Sequence, residues 1–269
     1  MKNKIPVTAI ILCHINDDRL NKAIASVQFC DEILILDHHS GKDWTTLQKK
    51  YHLKIIEQQK PIKNFSQVRN SLAPQAKNNW ILSLDSDEYI ADPELAAELI
   101  KKIINDENYN CASLIRTDIF ARNQLRHGEA GQQKIIKLYQ RQQLHYERPV
   151  HEELTAIQNQ EKKCLDLPIQ IFHQSHLSVE SFFQDVCKYA EMEAQHRAAI
   201  FNFAEKQILT QMVVYPLGKF FYNYVLKLGF LDGFAGLVYA SLMSLHSIMV
   251  RIFLWEKIYV EKFANEEKN

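Results

Sequence analysis

Four short apolar runs punctuate the first hundred residues: IPVTAIIL from Ile5, EILILD ending at Asp37, LKIIEQ from Leu53 and WILSLD ending at Asp85. They are continuous rather than alternating. Such runs suit strands covered on both faces, which predicts a parallel sheet whose strands are joined by helical crossovers. Polar, helix-compatible stretches lie between them, and Asp92-Pro93-Glu94 predicts a helix start that ELAAELIKKII continues. After residue 110 the pattern loosens. CASLIRT and KIIKLYQR read as strands around a polar loop holding His127, Gly128 and Gly131; IQIFHQS reads as another strand, and a long helix is predicted from Ser178.

The last part differs in kind. Between Gln207 and Val250 only Lys219, Lys227 and Asp232 carry formal charge, and aromatic residues cluster there. The longest uncharged piece, Gly233 to Val250, is 18 residues, at or just below the roughly 20 that a spanning helix needs. An interfacial or re-entrant helical pair with aromatic and basic residues at headgroup level is the leading expectation. A true span and a helical appendage packed on the core or on a second subunit are the alternatives. The domain expectation is 1–206 as one α/β domain and 207–269 as an apolar helical, membrane-associating region.

Composition narrows the function. The 269 residues carry 32 Lys+Arg and 32 Asp+Glu, so there is no net charge to draw the chain to nucleic acid. Only seven glycines occur, with no GxGxxG and no GxxxxGK[ST], which excludes the usual dinucleotide fingerprint and the P-loop. The five cysteines, Cys13, Cys30, Cys111, Cys164 and Cys187, are odd in number and include no CxxC, so buried or partly buried free thiols in a reducing cytosol are expected. The N-terminus has a basic start but no long apolar core or cleavage site, which speaks against a signal peptide.

Chemistry concentrates where the apolar runs end. Asp85-Ser86-Asp87-Glu88 places three carboxylates at the carboxyl end of a strand, where open α/β sheets bind their ligands. That much negative charge repels itself unless a cation or a donor-rich ligand offsets it. Carboxylates are hard oxygen ligands for Mg²⁺ or Mn²⁺, ions that complete their shell with phosphate and water. Alone, the motif also reads as a solvated acidic turn. Asp37 ends the second run and Asn16-Asp17-Asp18 follow the first, so three strands deliver polar groups to one edge. Arg69, on a helix one element before the acidic turn, offers a fork for a diphosphate or a carboxylate. His173 and His176 in HQSH lack the further ligands of a zinc site, and HEELT is not HExxH.

These residues carry a resemblance. Asn16-Asp17, Cys30 to Asp37, Gln67-Val68-Arg69-Asn70 and Trp80 to Glu88 resemble, in order and spacing, the motifs of glycosyltransferase family 2. The branch most similar is that of the bacterial lipopolysaccharide inner-core β-1,4-glucosyltransferases. The likeness continues through Lys137-Leu138-Tyr139-Gln140-Arg141, Pro149-Val150-His151-Glu152, Ile171-Phe172-His173, Lys188-Tyr189 and Gly229 to Gly233, nearly the whole chain. Two departures stand out: the turn after Asp37 reads HHSGKD, one residue longer than the family's, and Lys137 stands where the family has Arg.

The resemblance implies a GT-A fold, Rossmann-like with a mostly parallel sheet, a nucleotide-sugar donor such as UDP-glucose, and inversion at the anomeric carbon. By the same resemblance Asp17, Asp37, Arg69 and Asp85 bind the donor, and Asp87, helped by Asp85, holds a divalent metal, Mg or Mn. Glu152 is the candidate catalytic base, with Glu153 and His151 as rivals, while Arg141, His151, His173 and Lys188 meet acceptor or phosphate. The implied acceptor is a lipid-linked saccharide at the cytoplasmic face of the inner membrane. A same-fold transferase acting on polyprenyl phosphate or an exopolysaccharide, and a non-catalytic membrane-associated scaffold, are the alternatives.

Overall fold

The structure is a computed structural model that describes residues 4–58, 64–148, 152–158, 160–201 and 203–260. The chain packs as two compact units, one of residues up to 116 with 133–174, the other of 117–132 with 175 onward. The compositional change at residue 207 lies within the second.

The first unit begins with β1 (Ile5–Cys13), α1 (Asp18–Ser26), β2 (Cys30–Asp37), α2 (Thr45–Tyr51), β3 (Lys54–Glu57), α3 (Phe65–Leu72) and β4 (Trp80–Asp85). β1 pairs in parallel with both β2 and β4, and β2 with β3. Alternate residues of β1 enter opposite cores: Val7, Ala9, Ile11 and Cys13 pack on one face of the sheet, Ile10 and Leu12 on the other. This two-sided burial is why the run carries no polar alternation. Leu20, Ala23 and Ile24 of α1 close the first face, and Leu72 of α3 lies against the second.

After β4 come β5 (Glu88–Ile90), α4 (Pro93–Ile103), β6 (Cys111–Phe120), β7 (Asn123–Leu125), β8 (Gln133–Gln140), β9 (Leu144–Glu147), β10 (Glu153–Ala156) and β11 (Cys164–His176). Asp92 caps α4 as its sequence predicts, accepting the amides of Glu94 at 3.1 Å and Leu95 at 3.0 Å, with Pro93 opening the helix. Among the described residues nine strands form one sheet in the order β3-β2-β1-β4-β8-β6-β11-β5, with β7 paired to β6; β9 and β10 form a separate ribbon. The parallel half is followed by an antiparallel extension, because β8 pairs antiparallel with β4 and with β6. The expected α/β class, with a helical C-terminal part, is the architecture observed.

The second unit holds the ends of β6 and β11, β7, and three helices, α5 (Val179–Ile200), α6 (Glu205–Phe221) and α7 (Gly233–Trp255). Ser178 caps α5, its hydroxyl accepting the Ser181 amide at 3.1 Å. Phe120, Leu125, Phe182 and Val186 form a core with Ala235, Tyr239 and Leu242 of α7. Gly236 brings α7 against the preceding turn: a Cβ there would meet Gly229 O at 2.0 Å. By length and composition, Gly229–Val260 is a stretch long and apolar enough to cross a membrane, with mean hydropathy 1.6 and 28% of its most apolar window buried. Leu217, Leu231 and Phe234 stand out into solvent.

Candidate active site

Register sets the site. Cys13 pairs with Asp37 and Leu12 with Asp85, so the carboxyl ends of β2, β1 and β4 share one edge. Within β4, Ile81 packs in the core that holds Leu72 and Tyr146, while Leu82 and Leu84 face the other. Ser83 and Asp85 follow Ile81 by twos and face α3.

There Arg69 waits. It is 7% exposed and binds three groups: Nη1 donates to Ser83 Oγ at 2.6 Å, Nη2 to Asp85 Oδ1 at 2.7 Å, and Nε to Glu152 Oε1 at 3.2 Å. Its guanidinium also lies 5.5 Å from the Tyr146 ring centre. Asn70 next door locks α3 to β9, its amide donating to Tyr146 O and its oxygen accepting the Tyr146 amide, both at 2.8 Å. Burial opposes the Arg69 charge, but Asp85 foremost, with Tyr146 and Glu152, turns the net shift upward. Asp85 shows the converse: burial alone would raise it, yet Arg69 and then Lys137 hold it well below the usual carboxylate range.

Lys137 comes from a bulge. Ala112 pairs with Leu138 and Ser113 with Ile136, which leaves Lys137 as the extra residue of β8. Its ammonium is buried against Glu88 Oε2 and lies 3.6 Å from Asp85 Oδ2. Glu88 Oε2 also accepts the Asp85 amide at 3.1 Å, and its Oε1 faces Arg116 Nη1 at 4.0 Å. Two of the three carboxylates in the acidic turn are thus neutralised by protein cations.

Asp87 is the third. It is 8% exposed, its Oδ2 lies 3.5 Å from His173 Nε2, and its carbonyl accepts the Gln174 amide at 2.8 Å. Burial raises its pKa, but the hydrogen bond and charge of His173 bring the net shift downward. Arg19 clamps Asp17 through Nη2 to Oδ2 at 2.7 Å and donates from Nη1 to Gln174 O at 2.9 Å, tying the start of α1 to the strand beside Asp87. Asp17 also caps α1 through the Arg19 amide, 2.9 Å. Asp37 organises the long turn after β2: Oδ1 accepts the Ser40 amide at 3.0 Å and Oδ2 the Trp44 indole at 2.7 Å.

Asp17, Asp37, Arg69, Asp85, Asp87, Glu152 and His173 therefore belong to one unit, and direct contacts join Arg69 to Asp85 and Glu152, and Asp87 to His173. Arg141 does not join them. It lies at the start of β4, its Nε donating to Asn78 O at 3.0 Å, because β8 runs antiparallel and Gln140 pairs with Trp80. Five residues at about 3.3 Å each separate that end from Asp85. Lys137 is the β8 cation at the acidic edge. Lys188 is exposed on α5 in the second unit, and His151 lies outside the described residues. Arg19 is a site residue that the sequence did not point to, and the pairing of Lys137 with Glu88 is seen only in the fold. Among the described residues, no group of three or more His, Cys, Asp or Glu side chains is arranged to hold a metal. Asp87 and His173 form the two-donor pair that remains, and Asp85, expected to share the ion, is engaged by Arg69.

No protein-family profile matches the sequence. Among solved structures, the chain is similar to S. aureus TarS at 12% identity over 84% of this chain, with a TM-score of 0.44; it spans 45% of the length of that protein. It is similar to TarS 1–349 in complex with UDP-GlcNAc at 12% identity, covering 94% of this chain and 91% of that one, TM-score 0.44. Glucosyl-3-phosphoglycerate synthase from Mycobacterium tuberculosis, in complex with Mn²⁺, UDP and glucosyl-3-phosphoglycerate, shows 12% identity over 43% of this chain and 44% of that one, TM-score 0.34. Similarity at this level concerns the path of the backbone and assigns no chemistry to side chains of this chain.

Proposed function

We propose that this chain is an inverting glycosyltransferase that moves a hexose, glucose in the leading reading, from UDP-sugar to a lipid-anchored saccharide acceptor in lipopolysaccharide core synthesis. One observation carries it: Arg69 bridges the acid at the end of β4 to Glu152, and these lie on the sheet edge that also presents Asp87 and Asp37. The ordered motif resemblance, residue by residue, supports the same reading.

Asp87 and His173 offer one oxygen and one nitrogen donor, which suits a divalent ion that fills its shell from phosphate and water. When bound there, such an ion supplies positive charge beside the departing diphosphate. The chain's own groups do the rest. Asp37 and Asp17, on loops already braced by Ser40, Trp44 and Arg19, present carboxylates to the nucleoside. Arg69 and Lys137 fix Asp85, and with it the turn that aims Asp87. Glu152, oriented by Arg69 Nε, takes the acceptor hydroxyl proton as attack proceeds, a role worth about 10²–10⁴-fold. The apolar stretch Gly229–Val260 would hold the protein at the cytoplasmic face of the inner membrane, where a lipid-linked acceptor is concentrated.

The test is titration of UDP and UDP-glucose with and without Mn²⁺, in wild type and in Asp87→Ala. Metal-dependent binding lost in the variant is the expected result. Absence of metal-dependent binding in wild type overturns the transferase reading, and undiminished binding in Asp87→Ala removes Asp87 from the metal site.

A further inference from the structure

Outside the acidic edge, two thiols meet. Cys111 is the first residue of β6 and Cys164 the first of β11, neighbouring strands of the sheet. The Cys111 amide donates to Lys163 O at 3.2 Å, and further along Ser113 Oγ donates to Asp166 Oδ1. The contacts advance in the same direction on both strands, so the strands start out parallel. An amide that bonds the carbonyl just before Cys164 makes Cys111 its register partner. The side chains therefore emerge on the same side of the sheet and neighbour each other across the two strands. Their environments differ: Cys111 is fully buried beside Ile81 and Tyr139, whereas Cys164 is exposed.

We propose that Cys111 and Cys164 form a peroxide-reactive dithiol site, in which Cys164 attacks and Cys111 resolves. Cys164 is exposed with the Lys162 charge nearby, whereas Cys111 is fully buried, and the difference favours the Cys164 thiolate over that of its partner. In the first step the Cys164 thiolate displaces hydroxide from hydrogen peroxide, giving a sulfenic acid. In the second the Cys111 thiol attacks that sulfur, expelling water and leaving a disulfide. Overall, two thiols and one peroxide give one disulfide and two waters. An exposed, acidic thiol beside a resolving cysteine is the arrangement that favours disulfide formation over further oxidation.

The spacing suits a bridge: neighbouring strands lie about 4.8 Å apart, inside the Cα range of disulfides. The effect of the bridge is to staple the first residues of β6 and β11. The site stands apart from the transferase reading and holds whether or not that reading does.

The full chain, reduced and then treated with one equivalent of hydrogen peroxide, is blocked with N-ethylmaleimide and mapped without reductant. A linked Cys111–Cys164 peptide and loss of two of the five thiols are expected, reversed by dithiothreitol. Cys111→Ala should instead accumulate a dimedone adduct on Cys164, and Cys164→Ser, a change at an exposed position, should give neither product. Alkylation of Cys164 should titrate with a midpoint near its pKa of about 7. At neutral pH it should run about threefold faster than an ordinary exposed thiol, the thiolate gain being partly offset by weaker nucleophilicity. A Cys164–Cys164 link between molecules, or oxidation spread evenly over all five thiols, overturns the proposal.

Discussion

Replacing Arg69 with methionine isolates the group on which the acidic edge depends. Methionine keeps most of the buried volume and removes the hydrogen bonds to Ser83, Asp85 and Glu152. Breaking a buried ion pair by deleting one partner costs about 3–5 kcal/mol, because the survivor is left without compensation. Asp85 keeps Lys137 at 3.6 Å and its side chain is 32% exposed, so the low end applies, about 3 kcal/mol. For a unit of this size that is a fall of about 6–12 °C in the melting midpoint. Arg69→Lys retains the charge but not the three-way fork, and should lose about half as much. Urea denaturation with unchanged slope is the assay.

The pH dependence supplies a second readout. The folded pKa of Asp85 is depressed, burial raising it but Arg69 and Lys137 lowering it further. Its pairing therefore contributes above the unfolded value near ~3.9 and is lost as pH falls through the lower folded value. The gap between wild type and Arg69→Met should be widest at neutral pH and narrow below about pH 4. A loss under about 1 kcal/mol at pH 7, or a gap that widens in acid, would refute the bridging role.

Three further outcomes are expected. Glu152→Gln should lower turnover about 10²–10⁴-fold while leaving UDP affinity within twofold; near-normal turnover would move the base elsewhere. Gly236→Ala forces a Cβ to within 2.0 Å of Gly229 O, and should destabilise the second unit by about 1–3 kcal/mol, read as a lowered midpoint of α-helical ellipticity. Leu231→Asp with Phe234→Asp, both exposed side chains, should cut sedimentation with phospholipid vesicles several-fold without changing that midpoint, and unchanged sedimentation would locate the membrane contact elsewhere.

Strand ends were legible because two-sided burial leaves an unmistakable apolar run that closes on a carboxylate at the edge, as at Asp37 and Asp85. The α4 cap was legible because Asp92 acts on amides only two and three residues away. What escaped was non-local. The sequence shows Arg69 as a helix arginine, and only the packing of α3 on β4 and β9 reveals that its fork is already filled by protein acceptors. Arg141 lies away from Asp85 because strand direction decides which end of β8 meets the acids, and direction is set by partners remote in the chain. Lys137 was hidden for a related reason, since a bulge is visible only against a neighbouring strand.

That irregularity in β8 has an engineering consequence. With one residue out of step, positions on either side of Lys137 alternate in opposite phase, so the placement of the ammonium is governed by a count as much as by an identity. Deleting one neighbour from the strand would restore an even ladder and turn the cation toward the wrong layer while preserving every remaining letter. A β8 segment transplanted into another scaffold would have to bring its supernumerary residue along, or deliver a lysine that never reaches Asp85.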